Sequence, residues 1–459
     1  MQRDRRRFTT DPARMAGVTD GWKPSKEDLE AIEILEKFHE ERKKNPVEEI
    51  SLPPGQDFLI GYDSKGRKLY VDDDKEEGPA GEFSRPRSAS DRPSARASTT
   101  AVPYRDRVLG SLLAGAVGDA LGAPVEGLPM ENIRQLYGPE GITEFKPAFG
   151  VGPGLITDDT QMTLFTLEGL IRAHVKQRNF GTVDVPAVVH RAYLRWLRTQ
   201  TPPPKTEPTY LPGDGWLITN RALHRRRAPG RTCMTALRAT RDGEQFGTFE
   251  HRLNDSKGNG GVMRAAPVAL WPGDVREVFE LAARTAAITH SHPSGYLSAG
   301  TLAVIVHQLL AGADLRAAIA TAHSILLRWD GHEEQARALD AAIDLASAGR
   351  PTPEQIAERL GGGWVGEEAL AIGVCAALCT DNLTDALIVA VNHSGDSDST
   401  GAVCGNIVGA HYGPAAIPES WLATLELRDV IETITRDAVR EFGPEPPSTP
   451  DWYQRYPGW

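Results

Sequence analysis

Two short acidic stretches carry side chains that can do chemistry. In Gly395-Asp396-Ser397-Asp398-Ser399-Thr400-Gly401, two carboxylates sit one residue apart with hydroxyls around them. Ile156-Thr157-Asp158-Asp159-Thr160 repeats the arrangement, with two carboxylates and an adjacent hydroxyl. Like charges this close repel unless a cation sits between them or one takes up a proton. Local structure offers a second account of each stretch. The first reads as a solvated turn; in the second, Thr157 reads as an N-cap, with Asp158 and Asp159 favouring a first helical turn. An apolar run, Ala386 to Val391, enters the first stretch and another leaves it, so at least partial burial is expected there. Two such clusters on one fold supply the ligands for a pair of hard divalent cations. Such a pair activates a water and clamps a substrate's oxygens. With only oxygen donors in the clusters, two Mg²⁺ (or Mn²⁺) fit better than zinc.

Three further stretches are too rich in glycine and polar residues for ordinary helix joints. Gly115-Ala116-Val117-Gly118-Asp119-Ala120-Leu121-Gly122 leads on to Glu126 and Gly127; it reads equally as tight helix packing with Asp119 at a helix end. Gly258-Asn259-Gly260-Gly261-Val262-Met263-Arg264 offers backbone N–H groups that can cradle a phosphate, or a simple turn. Thr289-His290-Ser291-His292 lacks the further His or Cys ligands that zinc requires, which leaves His290 a hydrogen-bonding or a structural role.

Taken in this order, the motifs resemble the ADP-ribosylglycohydrolase family over roughly Val108 to Tyr412. The resemblance implies an all-helical fold with two Mg²⁺ or Mn²⁺ ions at the base of an ADP-ribose cleft. It assigns Thr157, Asp158 and Asp159 to the first metal-binding motif and Asp396, Asp398 and Ser399 to the second. Many members carry Thr at the position of Ser399, and the hydroxyl is kept here. Glu126 matches a glutamate implicated in contacts near the scissile bond, in the same segment as Gly118 and Asp119. Asn259, Gly260, Gly261 and Met263 match the loop that holds ADP-ribose, and His290 matches a T-H motif. Asp214 is the counterpart assigned to one further family acid, at imperfect spacing after Pro202-Pro203-Pro204.

The elements that must position these residues follow from composition and periodicity. With 459 residues and 40% hydrophobic content the chain can bury a sizeable core. Its formal net charge of −11 argues against nucleic acid as a general partner. Four scattered cysteines, no apolar stretch after the basic start and no span-length apolar run predict a cytoplasmic protein that does not enter a membrane. Residues 1–75 form a separate extension. A capped helix from Ser25 carries an Ala31, Ile34, Leu35, Phe38 stripe, and a β-hairpin turns at Asp63-Ser64-Lys65-Gly66. Residues 76–103, dominated by Gly, Pro, Ser, Arg and Glu, read as a disordered linker. Residues 104–442 read as an all-α domain, with helices expected at 107–121, 159–173, 185–198, 276–288, 294–311, 315–327, 333–347, 353–360, 367–378 and 383–392. Residues 443–459 read as a Pro-rich C-terminal tail.

The expected activity is metal-dependent removal of ADP-ribose from a modified protein side chain, arginine first, with a carboxylate such as Glu126, Asp158 or Asp398 moving the proton. Alternative substrates are O-linked ADP-ribosyl-serine, ADP-ribosylated nucleic acid or a small metabolite. A reading from another class makes the chain a binding or immunity protein whose residues 1–75 block an ADP-ribosyltransferase toxin.

Overall fold

A computed structural model of the chain describes residues 61–62, 68–69, 102–200, 211 and 213–458. The expected helix after Ser25, and the linker as far as residue 101, lie outside the described residues. Of the expected hairpin, Gly61–Tyr62 and Lys68–Leu69 pair antiparallel, Gly61 opposite Leu69 and Tyr62 opposite Lys68. This pair belongs to its own unit, Glu33–Thr100.

From residue 102 onward the described chain is all-α, apart from short 3-10 turns and two isolated bridges. Many expected helices recur within a few residues, because strong caps fix their starts. Asp274 and Glu277 form a capping box before Val275–Ala287, and Thr352 and Gln355 form another before Pro353–Leu360. Among the described residues no helix is long and apolar enough to cross a membrane.

Three helices matter most: α1 (Tyr104–Gly122), α2 (Asp158–Phe180) and α3 (Ser397–Tyr412). Periodicity did not reveal α3, since glycines interrupt it and it is buried from Ser397 to Ala410, leaving no polar face. Its glycines, every fourth residue at 401, 405 and 409, meet α1 backbone to backbone. A Cβ on Gly118 would lie 2.0 Å from the Gly401 carbonyl oxygen, and one on Gly409 would lie 2.1 Å from that of Gly110. Ser111 and Asn406 fix the register. Ser111 Oγ donates to the Asn406 carbonyl and Asn406 Nδ2 to that of Ser111, both at 2.9 Å.

The C-terminal residues read as a tail are folded onto the domain. Helix Pro450–Arg455 is docked by Trp452 Nε1 donating to Glu441 and by the Tyr456 hydroxyl donating to Asp437. Arg172 of α2 donates to the Pro457 carbonyl. Pro450 opens this helix at its first position, and the prolines there do not prevent packing.

Candidate metal centre and ligand loop

The first acidic stretch begins α2. Thr157 is its N-cap, with Oγ1 accepting from the Asp159 amide at 3.2 Å, so Asp158 and Asp159 fall in the first turn. Asp119, near the end of α1, accepts from the amides of Thr157 and Thr160 and from the Thr160 hydroxyl. Asp119 is fully buried and serves as a second cap on α2. A Cβ on Gly118 would meet the Gly401 carbonyl, so this glycine packs α1 on α3.

The second stretch begins α3. Asp396 occupies the N-cap position, Asp398 and Ser399 the first turn, and the Ser399 amide donates to Asp398 Oδ1. Two backbone bonds hold the approach: Asp396 N to Gly362 O and Gly127 N to Gly395 O, each 2.7 Å. The second carries the turn bearing Glu126 alongside. Carboxylate oxygens of Glu126, Asp396 and Asp398 accordingly lie within 4.8 Å of one another. Sequence reasoning gave Glu126 to catalysis alone; the geometry makes it a candidate ligand as well. The glycine that follows it was the available signal.

The two stretches converge electrostatically. Burial pushes the Asp158 carboxyl up to about 8, with the charges of Asp119 and Asp396 adding to it. Burial likewise raises Asp159, where Asp119, Asp158 and Asp396 add and a hydrogen bond from Ser399 opposes. Asp398 is raised by burial and by Glu126, Asp396 and Asp159. Asp159 Oδ1 is buried with no hydrogen-bond partner among the described residues. An orphaned oxygen inside an all-oxygen donor set fits a hard divalent cation. The loop Arg225–Gly230 closes over this end of α2. Asp158 N donates to Arg227 O, and Gly230 N to Asp158 Oδ2, each at 3.1 Å. Residues 225–230 were not singled out from sequence, although Arg225-Arg226-Arg227 offers a compositional cue.

The glycine loop abuts the second cluster through one side chain. Asn259 Nδ2 donates to Asp396 Oδ2 at 2.8 Å and to the Gly363 carbonyl at 2.7 Å. Its glycines divide in role. A Cβ on Gly260 would meet the His290 ring at 2.8 Å, whereas one on Gly261 would strike the Gly295 carbonyl at 2.5 Å. Gly261 thus packs the loop on helix Pro293–Leu310 and does not offer an open cradle. Met263 is buried in the core, its carbonyl accepting from Thr163. His290 is buried beside the loop, its Nδ1 2.8 Å from Thr289 Oγ1.

Asp214 is not gathered into the acidic cluster. Its carboxylate pairs with Arg198 at 2.8 Å and accepts from the Leu211 amide, while Arg172 donates to its carbonyl. Arg172 lies about 20 Å along α2 from Asp158 at 1.5 Å per residue. Asp214 is thus held in an ion pair, apart from the acidic cluster.

The profile of a family described as ADP-ribosylglycohydrolase matches residues 100–447. An ADP-ribosyl-(dinitrogen reductase) glycohydrolase of Rhodospirillum rubrum is 30% identical over 334 residues, covering 72% of this chain and 93% of that one. An ADP-ribosylarginine hydrolase of Serratia proteamaculans is 25% identical over 338 residues, covering 72% of this chain and 78% of that one. A solved structure described as an ADP-ribosylglycohydrolase-related protein complex superposes with a TM-score of 0.54 at 28% identity, covering 74% of this chain and 99% of that one.

Proposed function

Because the chain belongs to the ADP-ribosylglycohydrolase family, and is a hydrolase of ADP-ribosyl groups on that ground, we propose that it releases ADP-ribose from modified arginine side chains of proteins with the help of two Mg²⁺ or Mn²⁺ ions. The observation that carries the reading is that carboxylate oxygens of Glu126, Asp396 and Asp398 lie within 4.8 Å of one another, while the Asp396 charge reaches the buried carboxyls of Asp158 and Asp159. Thr157, Asp158, Asp159, Asp396, Asp398 and Ser399, with Glu126 beside them, would hold the ions. Bound there, divalent cations supply Lewis acidity toward ribose oxygens and toward a water.

The chain's own residues account for the rest. Asn259 ties the ligand loop to Asp396, so ligand and carboxylates share one rigid frame. Glu126 sits in a turn outside the helices, half-exposed, which suits a group that exchanges a proton with a leaving side chain. The arginine acceptor is supported by the named activity of the Serratia relative. Residues 1–75 are assigned to docking the modified target or an ADP-ribosyltransferase toxin, with immunity as the biological setting. This rests on the Ala31, Ile34, Leu35, Phe38 stripe read from sequence.

The test is a release assay on arginine- and serine-linked ADP-ribosyl proteins, with Mg²⁺ or with chelator. Arginine-linked release that needs the cation is expected. Serine-linked release alone, or full turnover after metal stripping, would overturn the respective half of the reading. A chain lacking residues 1–100 should keep turnover on free ADP-ribosylarginine while losing affinity for the docked protein; unchanged affinity would refute the docking assignment.

A further inference from the structure

Among the described residues, three that are not glycine hold a positive φ: Phe149 at 55°, Ala228 at 48° and Leu427 at 60°. A side chain disfavours this conformation, which persists only where the surroundings impose it and gathers at functional sites. All three fall in one assembly. Phe149 and Gly150 form the tip of a tight turn, closed by the Val151 amide donating to the Ala148 carbonyl at 3.0 Å. Glu426, next to Leu427, ties the segments together. Its amide donates to the Gly154 carbonyl at 2.9 Å, and its Oε2 accepts from the Ile156 amide at 3.3 Å. Its Oε1 accepts from Arg227 Nη2 at 3.2 Å. Arg227, which precedes Ala228, is buried, with its guanidinium carbon 5.0 Å from the centre of the Phe149 ring.

This assembly borders the acidic cluster, because Asp158 N donates to Arg227 O and Gly230 N to Asp158 Oδ2. What it turns outward is apolar and cationic. Phe149 is 40% exposed and Val151 38%. Of Arg225, Arg226 and Arg227, only Arg227 is in an ion pair among the described residues, and the other two are exposed. The chain as a whole carries a net charge of −11, so this run is a cationic spot on an anionic protein and draws an anionic partner. A free phosphate would make no use of the aromatic tip. A polypeptide uses both, and aromatic residues and arginine are the types enriched where proteins meet.

We propose that the rim formed by Phe149, Val151, Arg225 and Arg226 docks the polypeptide that carries the modified side chain, and that it fits an acidic segment with an apolar residue close by. That the docked polypeptide is a substrate rests on the function proposed above; that the rim takes an acidic segment does not.

The experiment uses the full chain and two peptides, each ADP-ribosylated on a single arginine. One has Glu, Asp and Leu around that arginine and the other has Lys and Ser. At low salt kcat/KM should be roughly tenfold higher on the acidic peptide, through KM, and the ratio should shrink as salt is added. Arg225→Glu combined with Arg226→Glu should abolish or reverse the preference while turnover of free ADP-ribosylarginine stays unchanged. Phe149→Gly, which suits the left-handed backbone but lacks the ring, should raise KM for the acidic peptide alone. A wild type indifferent to the flanking residues would overturn the proposal whether or not the variants fold, and so would a double variant that keeps the preference. Fluorescence anisotropy with the unmodified acidic peptide separates this proposal from the functional one. Binding that the double variant loses, with no release from either arginine-linked peptide, would overturn the arginine reading and leave the docking surface standing. Tighter binding of a thymidine oligonucleotide of equal charge would overturn the assignment to a polypeptide.

Discussion

Stripping divalent cations should make the stability of this protein fall as pH rises. Asp158 stands at about 8 in the fold against an ordinary 3.8, chiefly through burial. The sign follows from linkage: a folded pKa above the unfolded one means that the folded state binds the extra proton. Stability is then full below the unfolded value and is lost as pH rises through the folded one. Forcing this one carboxyl to ionise in the folded chain costs on the order of 5 kcal/mol between pH 4 and pH 8. Asp158 is 4% exposed, so added salt screens little of it. For a domain of this size the melting temperature should drop by roughly 10 °C. A cation at a thousand times its Kd should return about 4 kcal/mol, most of the loss. Thermal melts in chelator, in Mg²⁺ and in Mn²⁺ across pH 5 to 8.5 measure this directly. Asp158→Asn should melt higher than the wild type in chelator at pH 8 and gain less from either cation. A metal-free melting temperature that is flat with pH, or a wild type indifferent to both cations, would refute the reasoning.

Two further outcomes follow from the packing of Gly118 and the ion pair of Asp214. Gly118→Ala places a methyl 2.0 Å from the Gly401 carbonyl, so the helix pair must separate; a loss above the roughly 1–3 kcal/mol typical of overpacking is expected in chemical denaturation. Asp214→Asn, which weakens the pair with Arg198, should lower the melting temperature while kcat stays within about twofold, as a partly exposed ion pair contributes modestly; a hundredfold fall in kcat would return Asp214 to the catalytic set.

The chemistry was legible where side chains announce it. Thr157, Asp158, Asp159, Asp396 and Asp398 could be picked out because paired carboxylates are costly without a reason. Helices such as Glu333–Ser347 could be bounded because polar and apolar residues alternate at the helical period. What stayed hidden depends on neighbours distant in sequence. Asp119 looks like a ligand until Thr157 and Thr160 are seen to occupy it. Gly260 and Gly261 are adjacent and identical, yet one faces a histidine and the other a helix backbone. Asp214 matched by order along the chain, but Arg172 and Arg198 claim it in space. Helix α3 lacked periodicity because every side of it is an interior.

The seam between α1 and α3 also bears on how the enzyme moves. Backbones interlock there at the glycines, and Ser111 and Asn406 pin the register, so neither helix can slide or roll past the other by small steps. The acidic turns at the start of α3 and just after α1 thus share one rigid floor. A random mutagenesis screen for dead enzyme should accordingly recover Gly118, Gly401 and Gly409 alongside the aspartates, because each holds one helix backbone against the other. Only a melting curve would tell the two kinds of loss apart.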